Sequence, residues 1–157
     1  MNFLRPLPCL LATLVLTAAP PPIQGGGALT LDGATFRFEP HSAATAPPRG
    51  GLPGAIRLRG VLIPVKGGRT IALDLVVLKD GRLYTLSLRR DGKADYPDTW
   101  AAVAGTRVKV LALEDRPGGR VELACEGPLT GVVGRRPVSS RWKGRLWAAF
   151  PDPGALS

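Results

Sequence analysis

The chain has 157 residues, 45% of them hydrophobic, with 20 Gly, 16 Pro and a formal charge of +9. That apolar fraction excludes a chain disordered by composition, and the length suits one ordinary core rather than several domains. Cys9 and Cys125 are the only cysteines, which excludes a small fold held by several disulfides.

Residues 1–27 read as an export signal and linker. Asn2 to Arg5 is short and positive, Leu7 to Leu16 is an apolar run, and Thr17 to Pro22 is rich in small residues and proline. Those are the three zones of a secretory signal peptide. The run is shorter than the about 20 residues that a membrane-spanning helix needs, and Pro6 and Pro8 interrupt its start. The alternatives are an uncleaved anchor or a buried helix. Cleavage after Ala19, Gly25 or Ala28 is compatible with the residues, although Pro20 disfavours the first. Cys9 precedes most of the apolar run, the wrong place for a lipid-modified cysteine.

The expectation is therefore a single secreted or periplasmic β domain over residues 28–157, with no transmembrane span once the signal is removed. Cys125 is then alone, so no intramolecular disulfide forms. It alternates with Val121 and Leu123 and reads as a small buried hydrophobe. No His or second Cys lies nearby in sequence to make it reactive.

Apolar residues recur with a period of two through most of the remaining chain, the pattern of strands. Ala28–Leu31 and Thr35–Glu39 flank Asp32-Gly33, a hairpin signal. A Pro/Gly/Ala-rich loop is expected over Ala43–Gly54. Ala55–Ile63 alternates, and Gly60 marks a candidate bulge. Thr70–Leu78 is apolar on both faces apart from Asp74, as in a strand covered on both sides. Asp80-Gly81 turns the chain into Leu83–Arg89. Asp98 is a candidate cap for a short helix ending at Gly105, burying Trp100 and Val103. Val108–Leu113 and Val121–Glu126 follow as strands, Leu129–Val133 as a short edge strand, and Ser140–Phe150 as the last.

The fold expected is all-β, an antiparallel β-sandwich or closed barrel of about 8–9 short strands, with one short helix near 98–104. Over residues 55–126 the order of three strands, a helix and two strands resembles an OB-fold barrel in element order. That resemblance leaves the N-terminal hairpin and the final strand outside it.

Candidate chemistry is sparse. His41, the single histidine, sits at the start of the expected loop, a poor platform for a Ser-His-Asp arrangement. One His and one remaining Cys cannot build a usual zinc site. Asp91, Asp95 and Asp98 offer carboxylates for calcium, but Lys93 stands among them and the spacing is not that of an EF-hand loop. Asp74, between Leu73 and Leu75, is the acid of interest for a carboxylate-dependent hydrolase, unless a neighbouring Arg pairs with it. Paired glycines lack the phosphate-loop context. No catalytic residue, metal ligand or cofactor is assigned.

The strongest lead is basic. Sixteen Arg against five Lys favour polyanionic partners, although a GC-rich coding sequence also enriches Gly, Ala, Pro and Arg. Arg141, Lys143, Arg145 and Trp147 alternate onto one face of the last strand, preceded by Arg135 and Arg136. Cations interleaved with an indole can track anionic groups while the ring stacks on a base or sugar. The alternatives are charges guarding an edge strand, or a Trp147 that belongs to the core. The expectation is a non-catalytic exported domain binding an anionic envelope or extracellular component. The alternative is a structural or accessory module making a protein contact through its edges or the Glu39–Gly54 segment.

Overall fold

The computed structural model describes residues 23–91 and 96–156. The signal-peptide reading of residues 1–22 and the candidate ligand Asp95 lie outside the described residues. Nine strands follow in chain order: β1 (Gly25–Leu31), β2 (Ala34–Ala46), β3 (Ala55–Pro64), β4 (Ile71–Leu78), β5 (Leu83–Arg90), β6 (Asp98–Ala102), β7 (Arg107–Leu113), β8 (Arg120–Val133) and β9 (Arg136–Ala149). A single 3-10 turn, Pro153–Leu156, ends them. Among the described residues no helix is long and apolar enough to cross a membrane.

The alternation expected from sequence closes the sheet. Neighbours pair antiparallel from β1 to β6, β8 pairs with both β6 and β9, and β9 returns to β1. The result is a closed eight-stranded barrel, with β7 as an extra strand carried on β8. Of the two expected architectures, the barrel is the one formed. Its inward positions hold Leu29, Phe38, Leu58, Leu75, Leu88, Leu123, Trp142 and Leu146, all essentially inaccessible to water. An eight-stranded barrel has just enough interior for side chains to fill, and each such aliphatic side chain contributes about 1.5–3 kcal/mol by burial.

Two hairpins have the backbone that their sequence demands or tolerates. Asp32 and Gly33 sit at φ 50° and 82°, the left-handed pair of a type I′ turn. Gly134 and Arg135 repeat this at φ 56° and 65° between β8 and β9, a turn the sequence did not announce because Arg rarely occupies it.

Several local expectations are corrected. The helix near 98–104 does not form: Asp98–Ala102 is β6, paired to β5 and β8. Two partner strands satisfy its backbone groups on both sides, whereas one or two isolated helical turns are costly to nucleate. Trp100 is buried as expected, but by strand alternation, and Val103 is exposed. The OB-like reading fails with the helix. Residues 55–126 are part of a continuous meander that also needs β1, β2 and β9 to close.

The expected loop from Ala43 is shorter, because β2 continues to Ala46 with a bulge between Pro40 and Ser42. The irregularity is thus in β2, opposite Gly60, and β3 keeps its alternation through Gly60. β4 is not sandwiched between two layers. Its second face carries exposed Ala72 and half-buried Asp74 and Val76. Leu129–Val133 is no edge strand but the second half of β8, paired on both sides. β1 begins at Gly25, so Gly25–Gly27, read as linker, pair with Ala148, Trp147 and Leu146, and Ile23 packs against the core.

β6 and β7 run end to end along β8, covering Leu129–Val132 and Val121–Glu126 respectively. Residues 103–106 loop out between them. The Thr106 hydroxyl donates to the Pro128 carbonyl at 2.6 Å and accepts from the Val103 N–H at 2.9 Å. Gly127 sits beneath this kink at φ 112°, where an added Cβ would lie 2.4 Å from the Gly105 carbonyl oxygen. Only glycine fits there.

Candidate functional site

The charged side chains divide into two populations. On β3 to β6 they pair. Asp74 receives Arg57 Nε and Nη2 at 3.0 and 2.7 Å and Arg59 Nε at 3.1 Å. Arg57 beside it holds the Asp74 carboxyl below the usual range, with Arg59 adding to the effect. A carboxyl held this way by two arginines is ionised at neutral pH.

Asp98 is almost fully buried and accepts from the Gly134 N–H at 3.0 Å and from Arg90 at 2.7 and 3.0 Å, with Arg69 at 3.7 Å. The Gly134 amide first, then Arg90, hold its carboxyl below the ordinary value. Instead of capping a helix, Asp98 ties β6 to β5 and to the β8–β9 turn. The β7–β8 connection is anchored by Asp115, which pairs with Lys79 and accepts from the Thr45 hydroxyl at 2.7 Å.

Asp74 and Asp98 sit on β4 and β6, each engaged by arginines. His41 is exposed at the β2 bulge. Cys125 is buried, and burial pushes its thiol up to about 12. Among the described residues no group of three or more His, Cys, Asp or Glu is placed to hold a metal.

The second population lies on the outside of β7, β8 and β9. Along β9, Arg141, Lys143 and Arg145 are exposed and Trp147 half-buried, while Trp142, Leu146 and Ala148 turn inward. The pairing register extends this stripe sideways. Arg107 and Lys143 flank Glu126 from either side of β8, and Lys109 and Arg145 flank Ala124 in the same way. With strands about 4.8 Å apart, each flanking pair of backbones is separated by about 10 Å, and successive pairs by about 7 Å along the strands. Among the described residues Arg107, Lys109, Arg141, Lys143 and Arg145 have no ion-pair partner.

The other expected members sit apart. Arg135 is in the β8–β9 turn with its guanidinium 4.2 Å from the Tyr96 ring centre. Arg136 opens β9 opposite Val133, at the far end of the strand from Arg145. Trp147 faces outward but is already covered. Arg120 stacks 5.2 Å from its ring centre, and its indole lies over Gly26, where an added Cβ would come within 3.4 Å of Nε1. Arg107, Lys109 and Glu126 were absent from the sequence-based set. Arg107 and Lys109 alternate with Val108 and Val110 and so are legible as outward; their adjacency to β9 is not.

Two clefts meet at this face. One, about 770 Å³, runs from Asp32 and Gly33 past Arg141 to Arg107, Glu126 and Lys143. The other, about 870 Å³, shares those last three residues and continues past Lys109 and Arg145 to the Lys79–Leu83 hairpin. Trp142 lines the first, and its indole N–H has no hydrogen-bond partner among the described residues. Trp100, by contrast, donates to the buried Ser140 hydroxyl at 3.1 Å.

Comparison with known proteins finds no matching family model, no matching curated protein and no matching solved structure.

Proposed function

We propose that this chain is an exported, non-catalytic β-barrel domain that binds an anionic envelope or extracellular polymer through the outer face of β7, β8 and β9. The observation that carries this reading is the segregation of charge. Arginines on β3 to β6 pair with Asp74 and Asp98, whereas among the described residues Arg107, Lys109, Arg141, Lys143 and Arg145 have no ion-pair partner and share one face, with Glu126 as the one acid between them. Uncompensated cations on a common face bind polyanions by displacing their counterions, and the displacement makes affinity depend steeply on salt. Export rests on the Leu7–Leu16 run with its flanks. Processing upstream of Ile23 would leave β1 whole, which favours a cut near Ala19 over one after Gly25 or Ala28.

Affinity for heparin, measured across a salt series, tests the reading. The logarithm of the binding constant should fall linearly with that of salt, with a slope magnitude of about three or more. Binding that is flat in salt would remove the electrostatic basis.

A protein contact is the second reading, favoured by an apolar cleft of about 360 Å³ between the 47–54 loop and β5. Leu52 and Tyr84 line it and are 42% and 59% exposed.

A further inference from the structure

We infer that the anionic ligand lies across the strands, in a groove made by the two joined clefts, and that it is an acidic polysaccharide rather than a nucleic acid. This rests on the anion-binding reading above and specifies its site and ligand class. Three observations carry it.

The first is direction. The clefts share Arg107, Glu126 and Lys143, so together they run from the β1–β2 turn across β9 and β8 to β7 and the β4–β5 hairpin. A chain following that path meets Arg141, Lys143, Arg107, Arg145 and Lys109. It does not meet Arg135 or Arg136, which lie at the β8–β9 turn and the start of β9.

The second is the absence of a stacking platform. Proteins that hold single-stranded nucleic acid without sequence preference place aromatic rings under successive bases. Here Trp147 is occupied by Arg120 and Gly26, Trp142 is inaccessible, and neither tyrosine lines the groove.

The third is the mixture of signs. Glu126 stands between Arg107 and Lys143 in the register, and Asp32, one of whose oxygens accepts from the Arg141 N–H at 2.9 Å, lies at the β1–β2 end of the groove; Asp80 at the other end is already paired with Arg82. Carboxylates accept hydrogen bonds but repel a chain charged at every unit. Cations alternating with carboxylates match a polymer whose anionic groups are separated by neutral, hydroxyl-bearing units. Sugar hydroxyls donate to the carboxylates while uronate or sulfate groups meet the cations.

The test measures binding of the protein to a hyaluronan oligosaccharide, whose carboxylates fall on alternate sugars, and to a single-stranded oligonucleotide of equal formal charge. Arg107→Ala with Lys109→Ala should weaken oligosaccharide binding roughly tenfold, as loss of two charge contacts predicts. Arg135→Ala with Arg136→Ala should leave it within about twofold. Glu126→Ala decides the ligand class by sign: oligosaccharide binding falls and oligonucleotide binding rises.

If Arg107→Ala with Lys109→Ala changes nothing while loss of Arg141, Lys143 and Arg145 abolishes binding, the ligand follows β9 and the groove is wrong, although the anion-binding face stands. If Glu126→Ala strengthens both probes, or the oligonucleotide binds more tightly than the oligosaccharide, the polysaccharide assignment is wrong. If the unmodified protein binds neither probe nor heparin, both the groove and the face are overturned.

Discussion

Asp98 shows how one side chain can be identified from sequence as important and still be given the wrong partner. Its position after a polar segment and before Trp100 fits a helix cap. The short carboxylate does cap backbone, but that of Gly134, 36 residues away in sequence. Its folded-state pKa is lowered, chiefly by that amide and then by Arg90. The stabilisation is therefore fully present above the ordinary carboxylate range, about pH 4, and is lost as pH falls through the lowered value. Asp74, Asp80 and Asp115 shift in the same direction. Thermal unfolding at pH 7 and pH 3 should show a lower midpoint in acid. Asp98→Asn should cost about 1–3 kcal/mol at pH 7 and lose less than the unmodified protein on acidification. An unchanged midpoint in Asp98→Asn at pH 7 would mean the Arg90 pair contributes nothing.

Strand identity was largely legible at the scale of the element, because inward and outward residues alternate from β1 to β9 with few interruptions. β9 is the clearest case: Trp142, Leu146 and Ala148 fall inside, and Arg141, Lys143 and Arg145 outside, as their alternation requires. What sequence could not supply was pairing. Whether β7 lies beside β8 and two strands from β9 depends on closure of the whole barrel, so Arg107 and Lys109 were not grouped with the β9 cations. Missing too was the continuity of β6 with β7, since residues 103–106 and Gly127-Pro128 resemble two separate turns. Gly127→Ala tests this kink directly. A side chain at φ 112° against the Gly105 carbonyl should destabilise the barrel by about 2 kcal/mol or more. A denaturant midpoint within error of the unmodified protein would contradict the close approach.

For the whole molecule, the barrel separates two demands. Its inner face is an apolar core whose packing carries stability, and most acids on the outer strands are consumed in pairing with neighbouring arginines. Among the described residues Arg107, Lys109, Arg141, Lys143 and Arg145 lack an ion-pair partner and gather on β7 and β9 around a single acid, Glu126, whereas Arg49 and Lys66, also without one, lie singly elsewhere. That distribution distinguishes a basic face from a uniformly basic composition, a distinction the counts of Arg and Lys alone cannot make.

The most direct measurement compares two charge-matched triple variants in heparin affinity across salt. One loses Arg141, Lys143 and Arg145. The other loses Arg59, Arg89 and Arg116, which pair with Asp74, Asp91 and Glu114 and line neither cleft. The first should lose about two to three units of salt slope, and the second about one or less. Equal losses in the two variants would show that net charge, and not the face of β7 to β9, governs binding.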